Sequence, residues 1–170
     1  ERDDGCFGCR IACKRKTKID HQGGHGPEYE TLYALGSSIN INDIKRVAGL
    51  NYLCNELGLD TISMGLTLAC AIDMFENGII TEEDTDGVKL SFESKENIED
   101  LIRKTSKKEG FGSLLAKGSY RLADHYDHPE YSMSVNKLEM AAYDPRVLKG
   151  MSLVFSHSNR GACHLRGGLT

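Results

Sequence analysis

The sequence predicts a mainly α, multi-helical fold. Apolar residues recur at three- and four-residue steps through most of the chain after residue 28, which is the periodicity of a helix that buries one face. No long segment shows the sustained alternation of apolar and polar residues that is typical of a half-buried strand. Three closely spaced thiols stand before the first helical segment. We therefore expect a helical body preceded by a cysteine-rich loop.

Length and composition narrow the class of protein. The chain has 170 residues, of which 39% are hydrophobic, so it can bury one substantial core, or one domain and the beginning of another. Its formal net charge of -4 gives no general attraction to nucleic acid or to an anionic membrane. No apolar stretch approaches the roughly 20 residues that a membrane span needs. We expect a soluble protein that binds neither nucleic acid nor membrane.

The first helix is expected to follow a linker. The glycine-rich run 21–27 is predicted to be irregular, and Pro27 is well placed to open a helix at Glu28. Gly36 is expected to end that helix.

Two longer helices are predicted next. Asn42 or Asn40 can cap a helix whose apolar residues recur between Ile44 and Leu53 and which ends at Gly58. The segment 61–77 is apolar on nearly every face, so we expect it to be the buried central helix.

The second half of the chain is predicted to contain shorter elements. Residues 88–92 alternate enough to indicate a small strand. Ser94 can cap an amphipathic helix that ends near Gly110. Further helices are expected at 111–116, at 119–125 and from Asp144 onward, where Pro145 would occupy the first turn.

The thiols of Cys6, Cys9 and Cys13 are the strongest chemical signal. Their spacing suits an iron-sulfur cluster that takes a fourth ligand from elsewhere. It also suits structural zinc, with His21 or His25 as the fourth ligand. Disulfides are the third alternative, but the chain shows no secretory leader and is not disulfide-dense. We therefore expect a reducing, cytoplasmic compartment.

A basic run, residues 14–18, follows the third thiol. One interpretation is a solvated loop. The other is that its cations offset the negative charge of thiolates and a cluster.

Two polar turns are candidate ligand-binding segments. Residues 55–61 lie between two predicted helices, where backbone N–H groups can face a ligand, although a helix stop at Gly58 followed by an Asp60 or Thr61 cap explains the same pattern. Residues 158–167 contain two arginines, a histidine and two glycines, which suit phosphate recognition and proton exchange.

Four segments in a fixed order produce a resemblance that covers the chain from end to end: residues 6–13, 27–32, 53–63 and 158–165. Together they closely resemble the tungsten-containing aldehyde ferredoxin oxidoreductase family, whose second and third domains are mainly α. The resemblance implies a cysteine-rich cluster loop and linker at 1–27, a domain 2-like helical unit at 28–143 and the start of a domain 3-like unit at 144–170.

The resemblance also implies cofactors and their ligands. Three ligands of a [4Fe-4S] cluster would be Cys6, Cys9 and Cys13. A tungsten or molybdenum bis-molybdopterin would be contacted by Asn55, Gly58, Leu59, Asp60 and Arg166, with Asp60 and the backbone near Leu59 binding the pterin.

The implied reaction is the oxidation of aldehydes to carboxylic acids, with electrons passing through the cluster to ferredoxin. Glu30 and His164 fall where the family places a carboxylate and an imidazole beside the metal, although Glu30 read alone is a routine first-turn carboxylate. The family resemblance further implies a cytoplasmic, anaerobic enzyme and leaves a homodimer open.

The chain departs from the family pattern in several places. Asn55 stands where family members usually have Asp. The fourth cluster ligand, the second pterin motif and a β-rich domain would lie outside residues 1–170. We therefore expect the isolated chain to be inactive. The alternative function is a zinc-stabilised helical binding module without catalysis.

Overall fold

The mainly α prediction is confirmed. The computed structural model describes residues 2–5, 7–19 and 21–167. These residues form seven α-helices: α1 (Tyr29–Ala34), α2 (Ile44–Leu57), α3 (Thr61–Glu76), α4 (Ile98–Lys107), α5 (Gly112–Leu115), α6 (Ser119–His125) and α7 (Lys149–His157). The described strands are short: β1 (Arg2–Asp4), β2 (Lys14–Ile19), β3 (Gln22–His25), β4 (Ser134–Val135) and β5 (Leu138–Glu139). The division into three units at residues 27 and 143 stays a prediction.

The core is built around α3, as its sequence predicts. Buried residues run through the helix from Met64 to Met74, and α1, α2, α5 and α6 contact it, while α4 extends the same core by packing against α2 and α5. Gly65 lets α1 approach α3 closely, because a Cβ on Gly65 would lie 2.2 Å from the carbonyl oxygen of Ala34. This backbone contact joins the last residue of α1 to α3, and a hydrogen bond of 2.8 Å between the hydroxyls of Thr31 and Thr61 holds the first turn of α1 beside the beginning of α3.

The beginning of α2 corrects the predicted cap. Asp43, rather than Asn42 or Asn40, caps the helix, and its carboxylate accepts a hydrogen bond of 2.9 Å from the N–H of Lys45. Asn40 instead takes a left-handed conformation with φ 56° and donates its side-chain amide to the carbonyl of Phe92.

The N-terminal segment is not the irregular linker and solvated loop that its composition predicts. Residues 14–19 and 22–25 pair as antiparallel strands, and the sheet order is β1-β2-β3. Tyr52 of α2 explains why these residues form a hairpin, because its hydroxyl donates a hydrogen bond of 3.0 Å to the carbonyl of Thr17. Its ring also lies against Gly24, where an added Cβ would be 3.3 Å away. The hairpin is therefore held by a tertiary contact that local composition does not reveal.

The strand predicted at 88–92 is absent from the described structure, where the segment is an irregular connection. Its polar groups bond to side chains rather than to a partner strand. Thr85 Oγ1 donates to the carbonyl of Val88, and the Glu76 carboxylate accepts the N–H of Phe92 at 2.9 Å.

The predicted start of α4 is also wrong. Asn97, not Ser94, precedes the helix, and its side chain makes no capping hydrogen bond. The guanidinium of Arg46 binds both the carbonyl of Lys95 and the carboxylate of Glu99, so the chain turns before the helix begins.

The last helix begins later than predicted. Asp144 accepts hydrogen bonds from the backbone N–H and the guanidinium of Arg146, which forms a local turn, and α7 starts only at Lys149. The short helices predicted at 111–116 and 119–125 are confirmed as α5 and α6.

The β4–β5 hairpin was not predicted from the sequence. Its tight turn uses Asn136 and Lys137, both with positive φ (50° and 65°). Glu139 on β5 is 5% exposed, and its carboxylate accepts hydrogen bonds from the N–H and the hydroxyl of Ser119 at 2.8 and 2.9 Å. These two bonds fasten the hairpin to the beginning of α6.

In the part of the chain that is described, no helix alone has the length and apolar character to cross a bilayer. The helices α2 and α3 meet that test only as a pair bent by 114°.

Candidate functional site

The turn between α2 and α3 is an ordinary helix stop followed by a cap. Gly58 adopts φ 68° and donates its N–H to the carbonyl of Asn55 at 3.3 Å. Asp60 then accepts the N–H of Ser63 at 2.8 Å and caps α3. The structural explanation of this turn is therefore confirmed, and its predicted contacts with a pterin stay a prediction.

Asp60 and His164 line the same cleft. This first cleft has a volume of about 340 Å³, and its wall also includes Ser63, Arg160 and Cys163. The two polar turns singled out in the sequence, more than 100 positions apart at Asp60 and His164, thus meet at one surface.

Glu30 lies in the first turn of α1, and one of its two carboxylate oxygens is hydrogen-bonded. Its Oε2 accepts a hydrogen bond of 2.8 Å from the N–H of Ala142. Its Oε1 is buried, and in the described residues it has no hydrogen-bond partner. A buried polar atom without a partner is uncommon and marks a place where another group can bind.

Tyr143 connects the Glu30 region with His164. Its ring centroid lies 5.7 Å from that of the half-buried His164 and 6.4 Å from that of Tyr29. Because Ala142 binds Glu30, two consecutive residues contact the two predicted catalytic side chains. Sequence reasoning missed both residues, since the Ala142–Glu30 contact spans 112 positions and neither residue belongs to a recognisable motif.

Asn55 opens into a different cleft. This second cleft has a volume of about 560 Å³ and is lined by Asn55, Thr31, Thr61 and Lys14 among others. The hydroxyls of Thr31 and Thr61 share a hydrogen bond of 2.8 Å, and each follows a predicted site residue, Glu30 or Asp60. Lys14 is adjacent to Cys13, so the second cleft extends from the turn toward the cysteine loop.

The predicted cluster ligands are only partly described. Cys9 and Cys13 are exposed and free, whereas Cys6 lies outside the described residues. Within residues 2–5, 7–19 and 21–167, no three His, Cys, Asp or Glu side chains are grouped so as to hold a metal ion. The assignment of Cys6, Cys9 and Cys13 to a cluster therefore stays a prediction.

The buried thiols have a different character. Burial raises the pKa of Cys54 to about 12, with a smaller contribution from the negative charge of Asp60. Burial likewise raises the pKa of Cys70 to about 12. Both are protonated at neutral pH and behave as small packed side chains.

Arg166 is exposed at the end of the loop that carries His164. Its backbone N–H donates to the carbonyl of Cys163 at 3.4 Å. Leu59, half-buried beside Asp60, lines a cleft of about 250 Å³ that Asp60 and Ser63 also line. Their roles as pterin contacts stay predictions.

A family model described as aldehyde ferredoxin oxidoreductase, domains 2 and 3, matches residues 1–170. The chain belongs to the aldehyde ferredoxin oxidoreductase family. Its mainly α architecture is therefore the one expected of the second and third domains of this family of enzymes.

Similar proteins carry names that agree with this assignment. The chain is 46% identical over 167 residues to a tungsten-containing aldehyde ferredoxin oxidoreductase of Pyrococcus furiosus, and 42% identical over 167 residues to one of Thermococcus kodakarensis. In both cases 97% of this chain is covered, but the chain spans only 28% of the relative's length. It is also 29% identical over 151 residues to the WOR-like subunit of an aliphatic sulfonate oxidoreductase of Pyrococcus furiosus, covering 82% of this chain and 24% of that protein.

The described residues of this family member fit the expected cofactors in two respects. The buried Oε1 of Glu30 has no hydrogen-bond partner among the described residues, and Asp60 and His164 line a cleft that protein atoms do not fill. Cys9 and Cys13 present exposed thiols of the type that binds iron-sulfur clusters.

Proposed function

We propose that the protein to which this chain belongs oxidises aldehydes to carboxylic acids, with ferredoxin as the electron acceptor. The observation that supports this most directly is the meeting of Asp60 and His164 in the first cleft, beside the Tyr143 ring that links His164 to the Glu30 region. Such an arrangement brings a predicted cofactor contact and a proton-exchanging imidazole to one cleft, and Ala142 and Tyr143 link this imidazole to the Glu30 carboxylate.

The proposed cofactors are a tungsten or molybdenum bis-molybdopterin and a [4Fe-4S] cluster. When bound, they would supply a Lewis acid, a two-electron acceptor and a route for single electrons. Asp60, Leu59, Gly58, Asn55 and Arg166 would contact the pterin, and Cys6, Cys9 and Cys13 would hold the cluster.

Glu30 is the proposed general base. The N–H of Ala142 holds Oε2 at 2.8 Å and fixes the carboxylate, while the buried Oε1 is left to accept a proton from a water or substrate group. Because Oε1 is buried, water competes little for it, and the orientation of this oxygen is set before substrate binds.

His164 is the proposed second proton carrier. It is half-buried at the wall of the first cleft, and an imidazole can take up and release a proton near neutral pH. Glu30 and His164 therefore divide proton removal and proton transfer toward solvent between them.

The replacement Glu30→Gln tests the proposed base in the complete protein. It keeps the shape and the bond to Ala142 but removes the basic oxygen, so we expect kcat to fall by roughly 10²–10⁴-fold with pterin and tungsten still bound. Aldehyde-dependent reduction of ferredoxin and tungsten content are the measurements. The control is Glu83→Gln, an exposed carboxylate outside both clefts. Unchanged turnover in Glu30→Gln would refute the role.

Metal analysis separates this function from the zinc alternative. The oxidoreductase requires iron, tungsten or molybdenum, and pterin, whereas a zinc-stabilised binding module would contain one zinc and no iron. We also propose that residues 1–170 alone are inactive, because three thiolates without a fourth ligand should hold a cluster poorly. Stoichiometric tungsten in the isolated chain would contradict that part of the proposal.

A further inference from the structure

The β4–β5 hairpin and the four residues after it link several distant parts of the protein. We call this stretch, residues 134–143, the hairpin segment. Glu139 fastens it to Ser119 through two hydrogen bonds. The carbonyl of Val135 accepts the N–H of Ala162 at 3.3 Å, which ties the segment to the loop carrying His164.

The contact between the hairpin segment and that loop is close. A Cβ on Gly161, which has φ 84°, would lie 1.9 Å from the carbonyl oxygen of Val135. Only glycine fits this approach. The backbone just before His164 is therefore set against the hairpin segment without an intervening side chain.

The end of the hairpin segment contacts both proposed catalytic side chains. The N–H of Ala142 donates to Glu30, and the ring of Tyr143 lies over His164 with an angle of 30° between the two planes. Because Ala142 and Tyr143 are consecutive, the orientation of one contact restricts the other.

The imidazole of His164 depends on this ring. Among the described residues its ring nitrogens make no hydrogen bond, and its described ring contact is with Tyr143. A histidine without a hydrogen-bond partner keeps rotational freedom about its side-chain bonds unless packing limits it. Offset packing of two aromatic rings at this separation provides such a limit.

From these contacts we infer that Tyr143 is a positioning residue. Its ring, fixed by the hairpin segment, holds the His164 imidazole in the orientation in which it lines the first cleft with Asp60. This inference rests on the proposed function for its catalytic meaning, but the ring contact itself is independent of the reaction. It assigns the role to the aromatic ring and not to the phenol hydroxyl.

Two variants of the complete protein separate ring from hydroxyl. Tyr143→Phe keeps the ring and should retain kcat within about twofold of the wild type, since the packing contact is preserved. Tyr143→Leu removes the ring and should lower kcat by about 10- to 100-fold with little change in KM. A slightly displaced imidazole transfers protons more slowly, but it does not weaken the binding of substrate. Tyr143→Met is the second aliphatic variant if the leucine variant does not fold.

A readout that does not use activity accompanies these assays. In protein labelled with ¹³C at histidine Cε1, the His164 resonance is identified by its absence from His164→Gln. Tyr143→Phe should leave this resonance nearly in place, and Tyr143→Leu should shift it, because the nearby ring current is lost. Equal melting temperature and tungsten content in all variants show that the fold and the cofactor are retained.

The outcomes are distinct. Full kcat in Tyr143→Leu, an unmoved His164 resonance in that variant, or an equal loss of kcat in Tyr143→Phe would each overturn the positioning role of the ring. If the wild-type protein oxidises no aldehyde, the proposed function fails, while a shifted resonance in Tyr143→Leu alone would still support the positioning of His164.

Discussion

The helices α1 to α3 and the N-terminal sheet are held in place by different means. The α3 helix is surrounded by buried side chains, and its backbone touches α1 at Gly65. The sheet instead carries exposed cations on β2, and Phe7 and Ile11 are exposed in the loop between β1 and β2. It is attached to α2 through Tyr52 and through Asn51, whose amide donates to the carbonyl of His25 at 3.0 Å.

The two regions would therefore support their proposed cofactors differently. The residues of the first cleft lie on α3, on the hairpin segment and on the loop after α7. The cysteine loop gains little from the hydrophobic core, so its order should depend on what its thiols bind. Three variants test this contrast.

The largest effect is expected from Cys9→Ala in the complete protein. Loss of one thiolate should remove the visible absorbance and the iron of the cluster, while the far-ultraviolet signal of the helices stays unchanged. The control is Cys54→Ala, which replaces a buried thiol of α2 and should keep its iron. Retention of full iron in Cys9→Ala would exclude Cys9 as a ligand. Loss of the helical signal would show that the two regions are not independent.

The next effect concerns the contact of α1 with α3. Gly65→Ala places a methyl group 2.2 Å from the carbonyl oxygen of Ala34, so the helices must separate, and we expect a loss of about 1–3 kcal/mol in the free energy of unfolding. Urea unfolding followed by circular dichroism measures it. Gly49→Ala is the matched control, because Gly49 lies inside α2 with open space around its Cβ position. That replacement should stabilise the helix by about 0.5–1 kcal/mol. Equal effects of the two replacements would contradict the close backbone contact.

The effect that is smallest at neutral pH, where it vanishes, is a dependence of stability on alkaline pH. The pKa of Cys54 is raised from 9.0 to about 12 by burial and by Asp60, so the folded protein keeps the proton after the unfolded chain has lost it. Stability is therefore full below pH 9 and falls as the pH rises from 9 toward 12, by about 1.4 kcal/mol per pH unit for this thiol. Unfolding of Cys54→Ala between pH 8 and 11 should show a slope smaller by that amount. Parallel slopes in the two proteins would show that the thiol does not titrate differently on folding.

Local patterns were sufficient where neighbouring residues determine the structure. The predicted central helix at 61–77 agrees with α3 to within one residue, and Asp60 caps it as one of the two predicted alternatives. A continuous apolar segment between a capping carboxylate and Asn77-Gly78 leaves few other structures for this stretch.

Two of the failures share one physical cause, which is a contact from far along the chain. The glycine-rich residues 22–25 form a strand because Tyr52 lies against Gly24, and the segment 88–92 loses its predicted strand because Glu76 binds the backbone N–H of Phe92 and the hydroxyl of Ser91. A pattern of a few residues carries no information about such partners.

The candidate site was likewise predicted where local motifs are informative and missed where distant residues meet. The positions of Glu30, Asp60 and His164 were chosen from motifs, and the first cleft brings the last two together. Ala142 and Tyr143 escaped notice because their importance arises only when residues 112 positions apart meet. The cysteine ligands and the pterin contacts remain predictions.

The contact between Gly65 and Ala34 limits how this site can diversify. Because it joins main chain to main chain, any side chain at position 65 would push α1 away from α3. Adaptation to bulkier or smaller molecules is then expected at other residues that line the first cleft, such as Ile62 and Leu165.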